Sequence, residues 1–278
     1  TAKELNNMLL GYGYPFNVAV GMDVRVTSSY ANNNERIASN TVKVMMTPYK
    51  VPPKVALPAS GKLFIVGSAT QGGWDNPVPA PAQEFARLDE TTFAGVFQLI
   101  GGKEYLMLPV NGDWAHKYSV ADNSVPGLSQ GGNFGFDLAQ NFTGPAASGF
   151  YKIIVDFQAG KFTVTPYTGT LPQDLFIVGD ATPGGWDNPV PAAQKFTRIN
   201  SSVFELTTTL NGGKQYLFLP VNGDWAHKYA VADNSINGLS AGGTFGYDLS
   251  QNFPAPSASG TYKIVANFAT DKFTVIKQ

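Results

Sequence analysis

One long internal duplication constrains the fold of this chain more than any other feature of its sequence. Residues 63–67 read Leu-Phe-Ile-Val-Gly and match residues 175–179 at an offset of 112 residues. A deletion of one residue then reduces the offset to 111, which holds to the end of the chain, where residues 161–164 match residues 272–275. A unit of about 110 residues is too long for one turn of a solenoid and has the size of a whole domain. The duplication therefore predicts two tandem domains with the same fold.

The composition favours an all-β protein. Apolar residues make up 43% of the chain, which is enough to form cores, and the 30 Gly and 19 Pro point to many turns. Six segments in the first repeat are rich in Val, Ile, Phe, Tyr and Thr: residues 63–66, 84–88, 93–100, 104–108, 150–157 and 161–165. Several of these segments alternate between apolar and polar residues, as strands with one buried face do. We expect each repeat to be an immunoglobulin-like β-sandwich of seven or eight short strands, with the domains arranged in a row.

Residues 1–57 stand outside the duplication. Residues 18–26 and 40–47 predict two long strands joined by a polar loop at residues 28–34, and the proline-rich residues 49–58 predict a linker. Two strands cannot bury a core by themselves. We therefore expect residues 1–57 to be the C-terminal part of an immunoglobulin-like domain that begins upstream of Thr1, plus its linker. The two repeats are predicted as domains at residues 58–168 and 169–278.

Charge and composition exclude several functions. The formal net charge of −1 provides no field that would attract nucleic acid. The sequence has no apolar run of 18 residues and no signal peptide at its start, so we expect no membrane-spanning segment. It has no Cys, and its two histidines, His116 and His227, lie one in each repeat, so we expect no metal site and no cofactor.

The four tryptophans lie in polar turns rather than in strands. Trp74 lies in Gly-Gly-Trp-Asp-Asn-Pro and Trp114 in Asn-Gly-Asp-Trp-Ala-His-Lys-Tyr, and both strings recur around Trp186 and Trp225. A Trp inside a strand would be interpreted as a core ring, but Gly, Asp, Asn and Pro are turn residues. An exposed ring is about twice as probable in this context, although Trp114 could also begin a strand. The pattern predicts a pair of rings in each repeat that a ligand can stack against.

These strings, together with Gly-Phe-Tyr-Lys-Ile-Ile-Val-Asp-Phe and Gly-Lys-Phe-Thr-Val near the end of the first repeat, resemble the SusE/SusF-type starch-binding outer-membrane lipoproteins of Bacteroides-like bacteria. The similarity covers both repeats nearly end to end. It implies non-catalytic binding of starch and maltooligosaccharides at the cell surface, with other outer-membrane glycan-uptake proteins as partners. The lipidated cysteine of that family is absent from this sequence, so the anchor is implied by the resemblance alone.

The resemblance also implies the binding residues. In that family an arc of two aromatic rings binds α-glucan with help from a Lys or Arg and from an Asn or Asp. Carried onto this sequence, the first repeat contributes Trp74, Lys103, Trp114 and Asn141, and the second contributes Trp186, Lys214, Trp225 and Asn252. Other amides lie in neighbouring loops and remain alternatives to Asn141 and Asn252, namely Asn123, Asn133 and Asn234. Without the resemblance, the lysines would be interpreted as solvated strand ends and the asparagines as turn residues.

Three other functions remain open from the residues alone. A glycoside hydrolase needs two carboxyls across a cleft, and Asp75 with Asp113 is formally such a pair in each repeat. Two complete active sites in adjacent small sandwiches would be unusual, so we do not expect an enzyme. An accessory module for a different polysaccharide is the second alternative to starch binding. A purely structural spacer would also explain the duplication, and burial of the four indole rings would favour that function.

Overall fold

The structure is a computed structural model, and it describes residues 1–30 and 34–278. The chain divides into two compact units, Thr1–Pro52 and Pro53–Gln278. The first unit contains one α-helix and four strands: α1 (Ala2–Gly11), β1 (Val20–Val24), β2 (Thr27–Tyr30), β3 (Asn34–Ala38) and β4 (Val42–Met46). The second unit contains both repeats. Apart from α1 and three short 3₁₀ turns, all regular structure in the described residues is β, which confirms the predicted fold class.

The first unit is a bent β-hairpin with a helix beside it. β1 pairs antiparallel with β4, and β2 pairs antiparallel with β3. The prediction of one uninterrupted loop at residues 28–34 was wrong in part, because β2 and β3 extend the hairpin into that segment; residues 31–33 lie outside the described residues. α1 was not predicted either. Its first turn is capped by Thr1, whose hydroxyl accepts a hydrogen bond from the Glu4 amide, and the Asn6 side chain bonds both backbone groups of Tyr49.

Each repeat folds into two five-stranded antiparallel sheets packed face to face. The strands of the first repeat are β5 (Phe64–Val66), β6 (Ala86–Arg87), β7 (Thr92–Leu99), β8 (Glu104–Leu108), β9 (Tyr118–Ser119), β10 (Gly131–Asn133), β11 (Gly135–Phe136), β12 (Phe142–Thr143), β13 (Gly149–Asp156) and β14 (Lys161–Pro166). Those of the second are β15 (Phe176–Val178), β16 (Thr197–Arg198), β17 (Val203–Leu210), β18 (Gln215–Leu219), β19 (Tyr229–Ala230), β20 (Gly242–Thr244), β21 (Gly246–Tyr247), β22 (Phe253–Pro254), β23 (Gly260–Asn267) and β24 (Lys272–Lys277). Single 3₁₀ turns occupy Leu128–Gln130, Ala192–Gln194 and Leu239–Ala241.

The two sheets of the first repeat share one aromatic core. One sheet has the order β10-β14-β13-β7-β6, and in the other β8 lies at the centre, paired with β5, β9 and β12. Ile153 and Val155 of the first sheet belong to the same buried cluster as Tyr105 and Met107 of the second. The second repeat has the same orders, β16-β17-β23-β24-β20 and β15-β18-β19-β21 with β22 beside β18. Burial of large rings between two sheets is the main stabilising term in a fold of this size.

All six strands predicted in the first repeat are present, within two residues at each end. The repeat nevertheless has ten strands rather than the seven or eight predicted. The four that were missed are β9, β10, β11 and β12, each of two or three residues, and two of them contain Gly. Their ladder bonds depend on neighbouring strands that are distant in sequence, so local propensity does not reveal them.

Candidate functional site

The turn that carries Trp74 lies against the outer face of β5 and β8. It leaves β5 at Gly67, whose backbone comes so close to β8 that a side chain there would lie 2.5 Å from Tyr105 Cα. The Gly67 amide donates to the carbonyl of Gly73, the residue before Trp74. Farther along, the buried Val78 covers the apolar outer surface of the two strands. Trp74 is therefore held close to the sheet at both ends of its turn.

Asparagine side chains join the Trp74 turn to the loop that carries Trp114. The Oδ1 of Asn111 accepts a hydrogen bond from the Val78 amide at 2.7 Å, and its Nδ2 donates to the Val78 carbonyl at 3.2 Å. The amide of Gly112 donates to Asn76 Oδ1 at 2.7 Å. The second repeat reproduces each of these bonds, with Asn222 on Val190 at 2.7 and 3.3 Å and Gly223 on Asn188 at 2.7 Å. The two tryptophan loops of each repeat therefore form one surface.

All four indoles are exposed. Trp74 and Trp186 each retain 41% of their accessible surface, Trp114 retains 50% and Trp225 retains 51%. None of the four rings belongs to a core cluster. The rings are therefore not buried, whereas a structural spacer would have been favoured by buried rings. An apolar ring kept half in water by a rigid turn is available for stacking.

The polar residues implied by the resemblance lie at the other end of β8 from Trp114. Lys103 immediately precedes β8 and is exposed, whereas the Trp114 loop follows the last residue of that strand. At about 3.3 Å per residue, Lys103 and Pro109 are separated by roughly 20 Å along the strand. The structure thus joins the loops of Trp74 and Trp114 and places Lys103 at the end of β8 opposite the Trp114 loop, so that a site shared by these residues would extend along β8.

Asn141 lies near Lys103 and is ordered by a carboxylate. Its Nδ2 donates to Glu104 Oε2 at 3.1 Å, and Asn123 Nδ2 is 3.4 Å from Glu104 Oε1. In the second repeat a glutamine replaces the carboxylate, and Asn252 Nδ2 donates to Gln215 Oε1 at 3.1 Å. These bonds involve Nδ2 and do not occupy the amide oxygens of Asn141 and Asn252. The second repeat also differs in its lysine, since Lys214 Nζ lies 3.9 Å from Asp180.

An aspartate that sequence reasoning missed fixes the far side of the Trp114 loop. Asp137 Oδ1 accepts from the Lys117 amide at 2.9 Å, and its Oδ2 lies 2.7 Å from His116 Nδ1. These hydrogen bonds, the Lys117 amide first and His116 second, lower the pKa of Asp137 below its ordinary value. His227 and Asp248 repeat the pair at 2.8 Å. The duplication of His116, Asn111 and Asp137 was the signal in the sequence that could have identified this support.

One of the two carboxylates considered for catalysis in each repeat accepts a hydrogen bond within its own turn. Asp113 Oδ1 accepts from the Ala115 amide at 2.8 Å, and Asp224 Oδ1 accepts from the Ala226 amide at the same distance. This is the hydrogen bond of an Asx turn, which shapes the loop immediately around Trp114 and Trp225. Within the residues that the structure describes, no three His, Cys, Asp or Glu side chains converge as a metal site would require.

Comparison with known proteins identifies a solved structure with a distant likeness to this chain. No protein-family model matches the chain, and no curated protein matches it either. Among solved structures, SusF from Bacteroides thetaiotaomicron aligns with 99% of this chain at 18% sequence identity and a TM-score of 0.34. This chain spans 61% of the length of SusF. At such a TM-score the likeness carries no argument about function. No helix in the described residues is both apolar enough and long enough to cross a bilayer.

Proposed function

We propose that this chain is a non-catalytic α-glucan-binding protein whose two repeats each carry one site for starch. One observation carries the proposal: each repeat holds two exposed indoles on neighbouring loops that side-chain amides fasten together. The domains are those of the sequence analysis, residues 58–168 and 169–278. The resemblance of the Trp strings to SusE/SusF-type proteins supplies the ligand class.

The chemistry of the rings supports a sugar ligand. A pyranose presents C–H groups on its faces and hydroxyls around its edge, and an indole face attracts such polarised hydrogens while covering apolar area. Two rings on separate loops can be inclined to each other, which suits the curved chain of an α-1,4-glucan better than a flat β-1,4-glucan. Lys103 and Asn141 would add a donor and an acceptor for hydroxyls farther along the same strand, as Lys214 and Asn252 would in the second repeat.

A duplicated weak site suits a polymeric ligand. Each stacked ring contributes on the order of 2 kcal/mol, so one site alone would bind in the micromolar to millimolar range. A polysaccharide offers many equivalent segments, and a second site on the same chain raises retention through effective concentration. We infer a surface protein of the outer membrane, anchored as a lipoprotein and acting with other glycan-uptake proteins, as the resemblance implies.

The N-terminal unit fits an incomplete domain. The hairpin leaves apolar side chains in water on both strands, with Val24 44% exposed, Val42 52% and Val44 39%. Two strands of this kind are not stable without a packing partner. We infer that residues 1–57 belong to the C-terminal part of an immunoglobulin-like domain, plus a linker.

Isothermal titration with maltoheptaose, cellohexaose and xylohexaose tests the proposal. We expect heat with maltoheptaose only, with two sites per chain. Absence of heat with maltoheptaose would contradict starch binding, and heat with cellohexaose or xylohexaose instead would support a module for another polysaccharide. Incubation with soluble starch should release no reducing ends, and measurable release would favour the hydrolase.

A further inference from the structure

The two repeats are not equivalent where they meet. A half-open cavity of about 290 Å³ lies between the end of the first repeat and the second repeat. The buried residues Tyr229, Phe245 and Phe268 lie behind it, and the half-buried rings of Tyr167 and Tyr247 line it. Lys152 and Asp271 are the charged residues on its wall. We call this space the junction cavity; it is lined by none of the four tryptophans.

A valine fills the corresponding space in the first repeat. There, Tyr118 OH donates to the carbonyl of Ala56, and the preceding residue, Val55, packs into the core at 7% exposure with its amide bonded to Phe157. Val55 lies directly over Gly160, where an added Cβ would be 3.3 Å from its Cγ2. Val55 therefore packs into that position in the first repeat.

A glycine takes the corresponding position in the second repeat. Tyr229 corresponds to Tyr118, and its hydroxyl donates to the carbonyl of Thr170. The residue before Thr170 is Gly169, which thus takes the place of Val55 and has no side chain to fill the cavity. An added Cβ at Gly169 would lie 2.7 Å from the ring of Tyr167, which folds over it. Tyr167 therefore covers the position that a side chain at residue 169 would take, and both residues line the cavity.

A charged pair formed by Asp271 of the second repeat and Lys152 of the first faces the cavity. Asp271 stands where the first repeat has Gly160, and it keeps the left-handed backbone of that glycine, with φ of +54° against +63°. Left-handed backbone is unfavourable for a residue with a side chain. The Asp271 carboxylate lies 3.0 Å from Lys152 Nζ and accepts from Tyr167 OH at 3.2 Å. An aspartate at this strained position therefore gains partners from the first repeat.

The first repeat lacks the carboxylate that pairs with the equivalent lysine in the second repeat. In the second repeat Lys263, the counterpart of Lys152, pairs with Glu205 on the adjacent strand at 2.8 Å. The residue corresponding to Glu205 is Ala94, so Lys152 has no such carboxylate beside it and reaches across to Asp271 instead. Asp271 thus differs from its counterpart in identity and Lys152 differs from its counterpart in its partner, and both residues line the same cavity.

The walls of the cavity come from both repeats, and buried hydrogen bonds hold the repeats together. The Val96 amide donates to Ser202 Oγ at 2.7 Å, and the Ser201 amide donates to the Glu84 carbonyl at 2.9 Å. Both serines are fully buried. Gly95 leaves room for them, because an added Cβ would lie 2.8 Å from Ser201 Oγ. The cavity is therefore formed before any ligand arrives, as small-molecule sites usually are.

We propose that the junction cavity is a third binding site, which takes a single neutral sugar ring or the end of a glycan chain. The half-buried rings of Tyr167 and Tyr247 offer an apolar surface for the C–H face of a pyranose. A carboxylate can accept about four hydrogen bonds and an ammonium can donate three, so Asp271 and Lys152 retain capacity for ligand hydroxyls after bonding each other. Their charges cancel, which favours a neutral ligand over an ion. The volume is just below the range of about 300–1,000 Å³ for drug-sized ligands and therefore fits one ring.

The test uses a variant in which all four tryptophans are replaced by alanine, so that the two proposed platforms do not contribute. The probes are D-glucose and maltose, followed by amide chemical shifts in ¹⁵N-labelled protein and by saturation transfer to the sugar. We expect millimolar binding with shifts at Gly169, Gly246 and Asp271. Gly169→Val and Asp271→Gly, which restore the residues of the first repeat, should each weaken this binding at least tenfold. Lys263→Ala is the matched control and should change nothing.

The outcomes separate this site from the platforms. Absence of shifts at the three amides in the Trp-less variant, or equal binding after both Gly169→Val and Asp271→Gly, would overturn the junction site. Two variants are needed because Gly169→Val must displace Tyr167, whereas Asp271→Gly only relieves left-handed backbone. Failure of the platforms would instead appear as equal affinity of the wild type and the Trp-less variant for maltoheptaose.

Discussion

Replacing one tryptophan with alanine should inactivate one repeat and leave the other intact. A Trp side chain offers up to about 250 Å² of surface, so the 41% and 50% exposures of Trp74 and Trp114 leave roughly 100–125 Å² of each residue in water. A pyranose stacked on one face covers about half of that and loses a similar area itself. At about 25 cal/mol/Å², removal of roughly 100–120 Å² from water contributes about 2.5–3 kcal/mol.

Ordering of the sugar offsets part of this gain, so we expect Trp74→Ala to weaken the first site by about 2 kcal/mol, which is roughly 30-fold. For a site that already binds weakly, such a loss moves it out of the measurable range. Isothermal titration with maltoheptaose should therefore change from two sites per chain to one, with the affinity of the remaining site unchanged. Trp186→Ala should give the same result, and the two changes together should abolish the heat.

The control is an exposed apolar residue outside the tryptophan loops. Val125 is 49% exposed, similar to Trp114, so Val125→Ala removes surface of comparable exposure without touching either ring. It should leave both the number of sites and the affinity as they are in the wild type. Two sites with unaltered affinity in the Trp74→Ala, Trp186→Ala double variant would refute the stacking argument, provided that circular dichroism shows the β fold intact.

Three further changes probe the support of the site and the core. Asn111→Ala removes both hydrogen bonds to Val78. We expect maltoheptaose affinity to fall in the first repeat only, and stability in urea denaturation to fall by about 1–2 kcal/mol. Unchanged affinity would show that the two Trp loops keep their arrangement without these bonds. Tyr105→Phe removes a fully buried hydroxyl that has no hydrogen-bond partner among the described residues, so stability in urea should be unchanged or higher by about 1 kcal/mol, and a clear loss would mean that the hydroxyl is satisfied. Because the pKa of Asp137 is lowered in the folded state, its carboxylate stabilises the fold above the ordinary value of 3.8 and stops doing so as the pH falls through the lower folded value. Asp137→Asn should therefore lower the melting temperature at pH 7, and the difference from wild type should shrink below about pH 4; a constant difference down to pH 2.5 would contradict this account.

Prediction from sequence succeeded where the signal was local. Strands such as β7, β8 and β13 carry unbroken runs or alternations of β-formers, and these residues pack in the same way wherever the sheets place them. The turn residues around the tryptophans likewise predicted that the indole rings are exposed, because Gly, Asp and Asn favour backbone conformations that cores rarely contain. The helix α1 was missed because it is a single segment of ten residues in a region whose other signals are all β.

The sequence by itself determined the duplication, the all-β class and the position of an indole pair in loops of each repeat, since all three depend on residue order and local backbone preference. Only the tertiary structure decided what those residues meet. It showed that Asn111 and Asn222 join the tryptophan loops, and it placed Lys103 about 20 Å along β8 from the end where the Trp114 loop begins. It also showed that Gly169 and Asp271 line a cavity between the repeats. Such contacts join residues far apart in sequence, and their energies depend on distance and burial in the folded chain, which no run of neighbouring residues encodes.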